Sequence, residues 1–119
     1  MSISVSVVIK VSKDRVWQMV TDIENANKNL TAISKINILE RPTAGIVGLK
    51  WEETRVMFGK EATEIMWISH AKMNEWYETT AHNCGCKYNT RVQLDDAPGG
   101  VKLSMTFRST PQTFLANLM

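Results

Sequence analysis

Cysteine is nearly absent from this sequence: the only two, Cys84 and Cys86, are separated by Gly85. Residues that close in sequence rarely reach disulfide geometry without strain, so a disulfide framework is excluded. His82 extends the run to "HNCGC". Short spacing of thiols and imidazole suits a metal, but four ligands are the rule and no fourth candidate is present. The expectation is a tight turn with reduced thiols, and no metal or cofactor. Long apolar runs are lacking too, and the N-terminus has no charged-then-apolar leader pattern, which argues against a membrane partner and for a cytoplasmic location. Neither sign of charge dominates: 14 Lys/Arg face 12 Asp/Glu, for a net charge of +2. With no basic run interleaved with aromatics, nucleic acid is excluded as a partner.

What remains is an ordinary soluble composition, 44% hydrophobic and 22% charged, in 119 residues. That length suits a single domain spanning 1–119 and buries roughly 65% of the unfolded surface, enough for one core.

The chain opens on "SISVSVVIK", whose alternation places Ile3, Val5, Val7 and Ile9 on one face of a strand. Ser12 then offers an N-cap to "KDRVWQMV", with Val16, Trp17 and Val20 on one helical face, and Asp22 offers a cap to a second short helix through "IENANKNL". Neither helix is long enough to stand alone, so both must dock on a sheet. From Ala32 onward, strands alternate with turn signals at residues 41–45, Gly59, Cys84-Gly85 and "DDAPGG". Such spacing predicts a meander of antiparallel strands. Thr110-Pro111 then predicts a cap and first position for a terminal helix carrying Phe114, Leu115 and Leu118. The order is one strand, two short helices, six strands and a helix, an α+β layout.

Turn length sets which side chains share a face. A two-residue loop at Phe58-Gly59 or at Gly59-Lys60 puts Leu49, Trp51, Glu53, Arg55 and Met57 together with Ala62, Glu64, Met66 and Ile68. The richer apolar bulk of that set makes it the inner face. A Cys84-Gly85 loop adds Tyr77, Thr79 and Ala81 opposite Tyr88, Thr90, Val92 and Leu94, and the last strand adds Val101, Leu103, Met105 and Phe107. Apolar walls with a few polar groups (Glu53, Arg55, Glu64, Tyr77, Thr79, Tyr88 and Thr90) are what a small-molecule cavity requires. Inward charges must pair or meet water, which predicts a Glu53–Arg55–Glu64 cluster; the competing account is an ordinary cross-strand ion pair at a frayed, solvated face. The candidate ligand-binding residues are therefore Trp51, Glu53, Arg55, Glu64, Met66, Tyr77, Thr79, Tyr88, Thr90, Met105 and Phe107. On the outer face, Val56, Ile65, Trp67 and Trp76 are expected to be exposed, which would suit a homodimer interface.

The ordered set of "VSKDRVWQMVTDIENANK" after the first strand, "INILE", the Gly45-to-Gly48 turn and "KWEETRVMFGKEATEIMWI" resembles the SRPBCC superfamily, also called START-like or polyketide cyclase/dehydrase-like. The resemblance implies a helix-grip fold: a curved seven-stranded antiparallel sheet around a C-terminal helix, two short helices closing one end, and an apolar cavity between the sheet and that C-terminal helix. It implies binding of lipids, sterols, polyketides or other apolar ligands, and in some members aromatase or cyclase activity, with no shared catalytic set. Here the terminal helix would hold about nine residues, roughly 13 Å, shorter than the resemblance implies. A truncated chain, a covering partner subunit and an unusually open cavity all fit that shortfall.

Three functions follow: a carrier or sensor of a small apolar molecule, a cyclase/dehydrase-type enzyme, and a protein-interaction module. Acid–base chemistry would fall to Glu53 or Glu64 with Arg55 and Tyr77 or Tyr88, but a carboxylate paired with a guanidinium makes a poor general base near neutral pH. The carrier is favoured. His82 belongs to the outer face and His70 to a solvated strand end.

Overall fold

Two hairpin turns fix the register that the site depends on. Met57 pairs with Lys60 and Asn83 with Cys86, so each turn holds two residues. The second residue of each, Gly59 and Gly85, has φ +76°, a left-handed conformation that side-chain-bearing residues resist. The computed structural model describes residues 2–29, 33–57, 59–83 and 85–111. The expected terminal helix, with Phe114, Leu115 and Leu118, lies outside the described residues, as do Phe58 and Cys84.

Strand β1 (Ser2–Ile9) leads into helix α1 (Lys13–Thr21), a 3₁₀ turn (Ile23–Asn25) and the short helix α2 (Ala26–Asn29). Strands β2 (Ile33–Glu40), β3 (Lys50–Met57), β4 (Lys60–Lys72), β5 (Trp76–Asn83), β6 (Cys86–Ala97) and β7 (Gly100–Pro111) follow. Each of these six pairs with its successor, and β1 returns to pair with β7, giving the order β1-β7-β6-β5-β4-β3-β2. Every neighbouring pair is antiparallel, and the sheet is curved. Register shifts between Ile68 and His70, and at two points in β2, insert the extra residues that let strands bend.

Helix α1 begins where its sequence says. The Ser12 hydroxyl accepts the Arg15 backbone N–H at 3.3 Å, and Asp14 sits in the first turn, where the helix dipole favours an anion. Val16 and Trp17 are buried. Asp22 departs from expectation: its carboxylate makes no bond to the following backbone and instead accepts the Asn25 side-chain amide at 2.9–3.0 Å. The second helix is correspondingly split into a 3₁₀ turn and a single α-turn.

The helices cover one end of the concave face. There Val16, Trp17 and Ile23 pack into a core with Leu49, Trp51, Ile68, Leu94 and Val101. The convex face carries hydroxyl pairs: Ser4 with Thr106, Thr54 with Thr63 and Thr80 with Ser69 pair at 2.8–3.0 Å. Val56 and Ile65 are exposed there, as expected. Trp67 and Trp76 are not bare but half-buried. The His82 imidazole lies 5.7 Å from the Trp67 ring, and the Arg91 guanidinium sits 4.1 Å above the Trp76 ring. Arg91 is held there by Glu78 at 3.0 Å and by Gln93 at 3.1 Å. His82 stands on the convex side, whereas Cys86 shares the parity of inward Tyr88, so strand alternation aims the two toward opposite faces.

Candidate functional site

Strand pairing resolves the loop-length ambiguity at Gly59. Met57 pairs with Lys60, so Glu53 lies directly opposite Glu64, and Arg55 lies opposite Ala62, one diagonal from Glu64. All three point to the concave face. Glu53 is only 5% exposed, a rare state for a carboxylate, and its two oxygens are both engaged. Oε1 accepts the Trp51 indole N–H at 3.2 Å, and Oε2 accepts Arg55 Nε in an ion pair. The Arg55 side chain reaches the groove half-exposed, while its partner is buried beneath it. Glu53 is thus satisfied by its own strand: Trp51, Glu53 and Arg55 alternate inward along β3, so i±2 neighbours share the face.

Tyr77 anchors the helices to the sheet. Its hydroxyl donates to the Val20 carbonyl at 2.8 Å, and its ring meets Trp17 edge-on at a centroid distance of 6.0 Å. Val20 lies in the last turn of α1, where carbonyls lack intrahelical donors, so Tyr77 supplies a missing partner. Burial, and secondarily the negative charge of Glu53, push the Tyr77 phenol well above its usual ionisation range.

Between these helices and the sheet runs a groove of about 400 Å³. Met19, Val20, Asp22, Ile23 and Ala26 form its helical wall, and Trp51, Glu53, Arg55, Met66, Tyr77, Thr79, Thr90 and Met105 are part of its sheet floor. A second hollow of about 240 Å³ continues it, sharing Arg55, Met66, Thr79, Thr90 and Met105, and reaching Ile3, Val5, Glu64, Tyr88 and Phe107. The Tyr88 and Phe107 rings stack there at 5.7 Å. Every candidate residue named from the sequence therefore borders one of two adjoining hollows. A more open hollow of about 460 Å³ lies at the edge of β2, bordered by residues 36–41 and Glu24. Its flank carries the exposed Arg41–Glu24 ion pair, and it lacks the aromatic and methionine floor of the groove.

The helical wall was missed by the sequence reading. Ile23 and Ala26 are three apart and follow Val20 by three, a helical repeat that continues across Asp22. Following that spacing through the cap would have found them. Among the described residues no cluster of three or more His, Cys, Asp or Glu is placed to hold a metal, and no helix is long and apolar enough to cross a membrane.

A seven-stranded antiparallel sheet with two short helices over one end of its concave face has many solved counterparts. The crystal structure of Ara h 8.0201 superposes with a TM-score of 0.67 at 23% identity, over 92% of this chain and 78% of that one. A START superfamily protein from Mycobacterium smegmatis does so at 0.77 and 16%, over 98% and 85%. The chain has the START-like, helix-grip fold. The same fold matches StfQ, a di-domain ARO/CYC of the steffimycin biosynthetic pathway, with a TM-score of 0.79 at 8% identity, over 92% of this chain and 37% of that one. At these identities the START-like fold is what is shared. No protein-family model matches the sequence, and no curated protein does.

Proposed function

We propose that this chain binds a small apolar ligand, of lipid, polyketide or aromatic type, in the groove between its short helices and the concave face of its sheet. The observation that carries the reading is the continuity of the two hollows over a largely apolar floor that carries one charged patch, buried Glu53 with half-exposed Arg55, and Glu64 across from it. Such a surface offers affinity through its methionine and aromatic walls and orientation through the patch. Arg55 and Glu53 neutralise each other, and their role is to orient the ligand's polar end.

The cyclase-type alternative loses support from Tyr77. Its hydroxyl proton is committed to the Val20 carbonyl, and its surroundings hold it un-ionised, which suits an anchor better than a proton donor. The homodimer and protein-interaction readings lose support from the half-covered Trp67 and Trp76.

Native mass spectrometry of the protein as purified, repeated after denaturation, tests the proposal. Extra mass that disappears on denaturation is the expected result. A ligand-free protein that also gains no thermal stability from any apolar compound would refute it.

A further inference from the structure

The sheet ends on β1 and β2, and the two end strands are built differently. Strand β2 carries Lys35 and Glu40, its pairing with β3 shifts at two points, and the 3₁₀ turn and α2 lie against it. Charge, bulges and cover are the devices that stop a strand edge from taking up another strand. Strand β1 shows none of them among the described residues. No charged residue or proline occurs from Ser2 to Ile9, and its pairing with β7 runs from Ser2–Arg108 to Ile9–Val101 without a shift. No described strand pairs with its outer edge. Ile3, Val5 and Val7 on its concave side and Val8 on its convex side are all exposed.

The sequence of β1 also complements itself. Antiparallel pairing with a second copy requires a two-fold axis normal to the sheet, which sets the two concave faces on the same side. Odd residues then meet odd ones and even meet even. With Val5 on the axis, Ile3 faces the second copy's Val7, and Ser4 faces its Ser6. With Ser6 on the axis, Val5 faces the second copy's Val7, and Ser4 faces its Val8. These two positions pair the most residues, and neither sets a charge against anything.

We infer that the β1 edge is a pairing site for a second copy of this chain, the two β1 strands joining antiparallel so that the two sheets become one. Ile3 and Val5 border the smaller of the groove's two hollows, so the second copy sets its own Ile3, Val5 and Val7 beside that hollow's outer wall. Each backbone group along the edge exchanges water for a partner at a modest net gain, and burial of the apolar row supplies the rest. An edge of eight residues is a small contact, which corresponds to a Kd of about 1–100 μM. Pairing uses up β1, and β2 is guarded, so assembly stops at two copies. This surface is separate from Trp67 and Trp76, which belong to β4 and β5, and the pairing does not depend on a ligand in the groove.

Sedimentation velocity of the full chain, from about 1 μM to about 1 mM, tests the inference. A monomer–dimer equilibrium is expected, with a Kd little changed by salt because the facing residues are uncharged. Ser6→Lys sets a lysine of each copy within one diagonal of the other, on the convex side and clear of the groove. It should raise the Kd at least about tenfold, with part of the loss recovered at high salt. Val5→Lys, exposed on the concave side and equally close to the axis, repeats the test; melting by circular dichroism verifies that both variants fold. Lys35→Glu, on β2, should leave the Kd unchanged. A chain still monomeric at the highest concentration overturns the inference. So does a dimer indifferent to both lysines, and so does assembly that grows past two copies.

Discussion

The two ends of the concave face share one sheet, one register and one alternation of inward side chains, yet they are finished differently. At the end beneath α1, Ile68 is 0% exposed and Leu94 2%. At the other end, the inward residues Ile3 and Val5 of β1 are 53% and 62% exposed, and Met105 of β7 is 44% exposed. No described element packs over them. Alternation decides only which face a side chain takes; whether that face becomes core depends on what lies on it. The first end supplies the stability that holds the sheet, and the second offers apolar surface that is not used up by folding.

Substitutions should separate the ends cleanly. Ile68→Ala removes three carbons from a site with no exposure and should cost about 2–5 kcal/mol in urea unfolding. An intermediate effect is expected at the junction, where Tyr77→Phe removes the hydroxyl that ties β5 to the last turn of α1. The loss should be about 1 kcal/mol near neutral pH. Its pH dependence carries a sign. The unfolded phenol ionises at about pH 10, whereas the folded one holds its proton to higher pH, so the folded state binds more protons above pH 10. Stability drawn from Tyr77 is complete below that pH and declines as pH rises beyond it. The Tyr77→Phe variant should therefore show a shallower alkaline decline than the parent in parallel melts. The smallest effect belongs to the open end: Val5→Ala should cost under about 1 kcal/mol, because most of that side chain already meets water. Equal losses at Ile68 and Val5 would erase the distinction between the ends.

The sequence made the faces legible and the ends illegible. A two-residue turn at either side of Gly59 gives the same parity, so Trp51, Glu53, Arg55, Glu64 and Met66 could be assigned to one face without knowing which turn forms. The pairing of Glu53 with Glu64, and the diagonal place of Arg55, needed the actual turn. Period-two patterning carries no information about position along a strand, so nothing in "SISVSVVIK" told covered residues from open ones. That depends on where α1 lands, a tertiary matter decided by Val16 and Trp17 meeting Leu94 and Val101. The cover over Trp76 was within reach. Arg91 is the diagonal neighbour of Trp76 once the Cys84-Gly85 turn is assumed, and diagonal pairs are close enough for long side chains to touch; His82 reaches Trp67 through the β4–β5 pairing, whose shift between Ile68 and His70 that turn does not set.

The most direct test of a ligand groove running from the short helices toward the open end uses its methionines. Met19, Met66 and Met105 border the groove, whereas Met73, 75% exposed in the β4–β5 turn, lies apart from it. With methyl-labelled methionine, titration of naphthalen-2-ylmethanol should shift the Met66 and Met105 methyl resonances together, saturably, and leave Met73 in place. Resonances that stay still at saturating ligand, or a shift confined to Met73, would contradict the account.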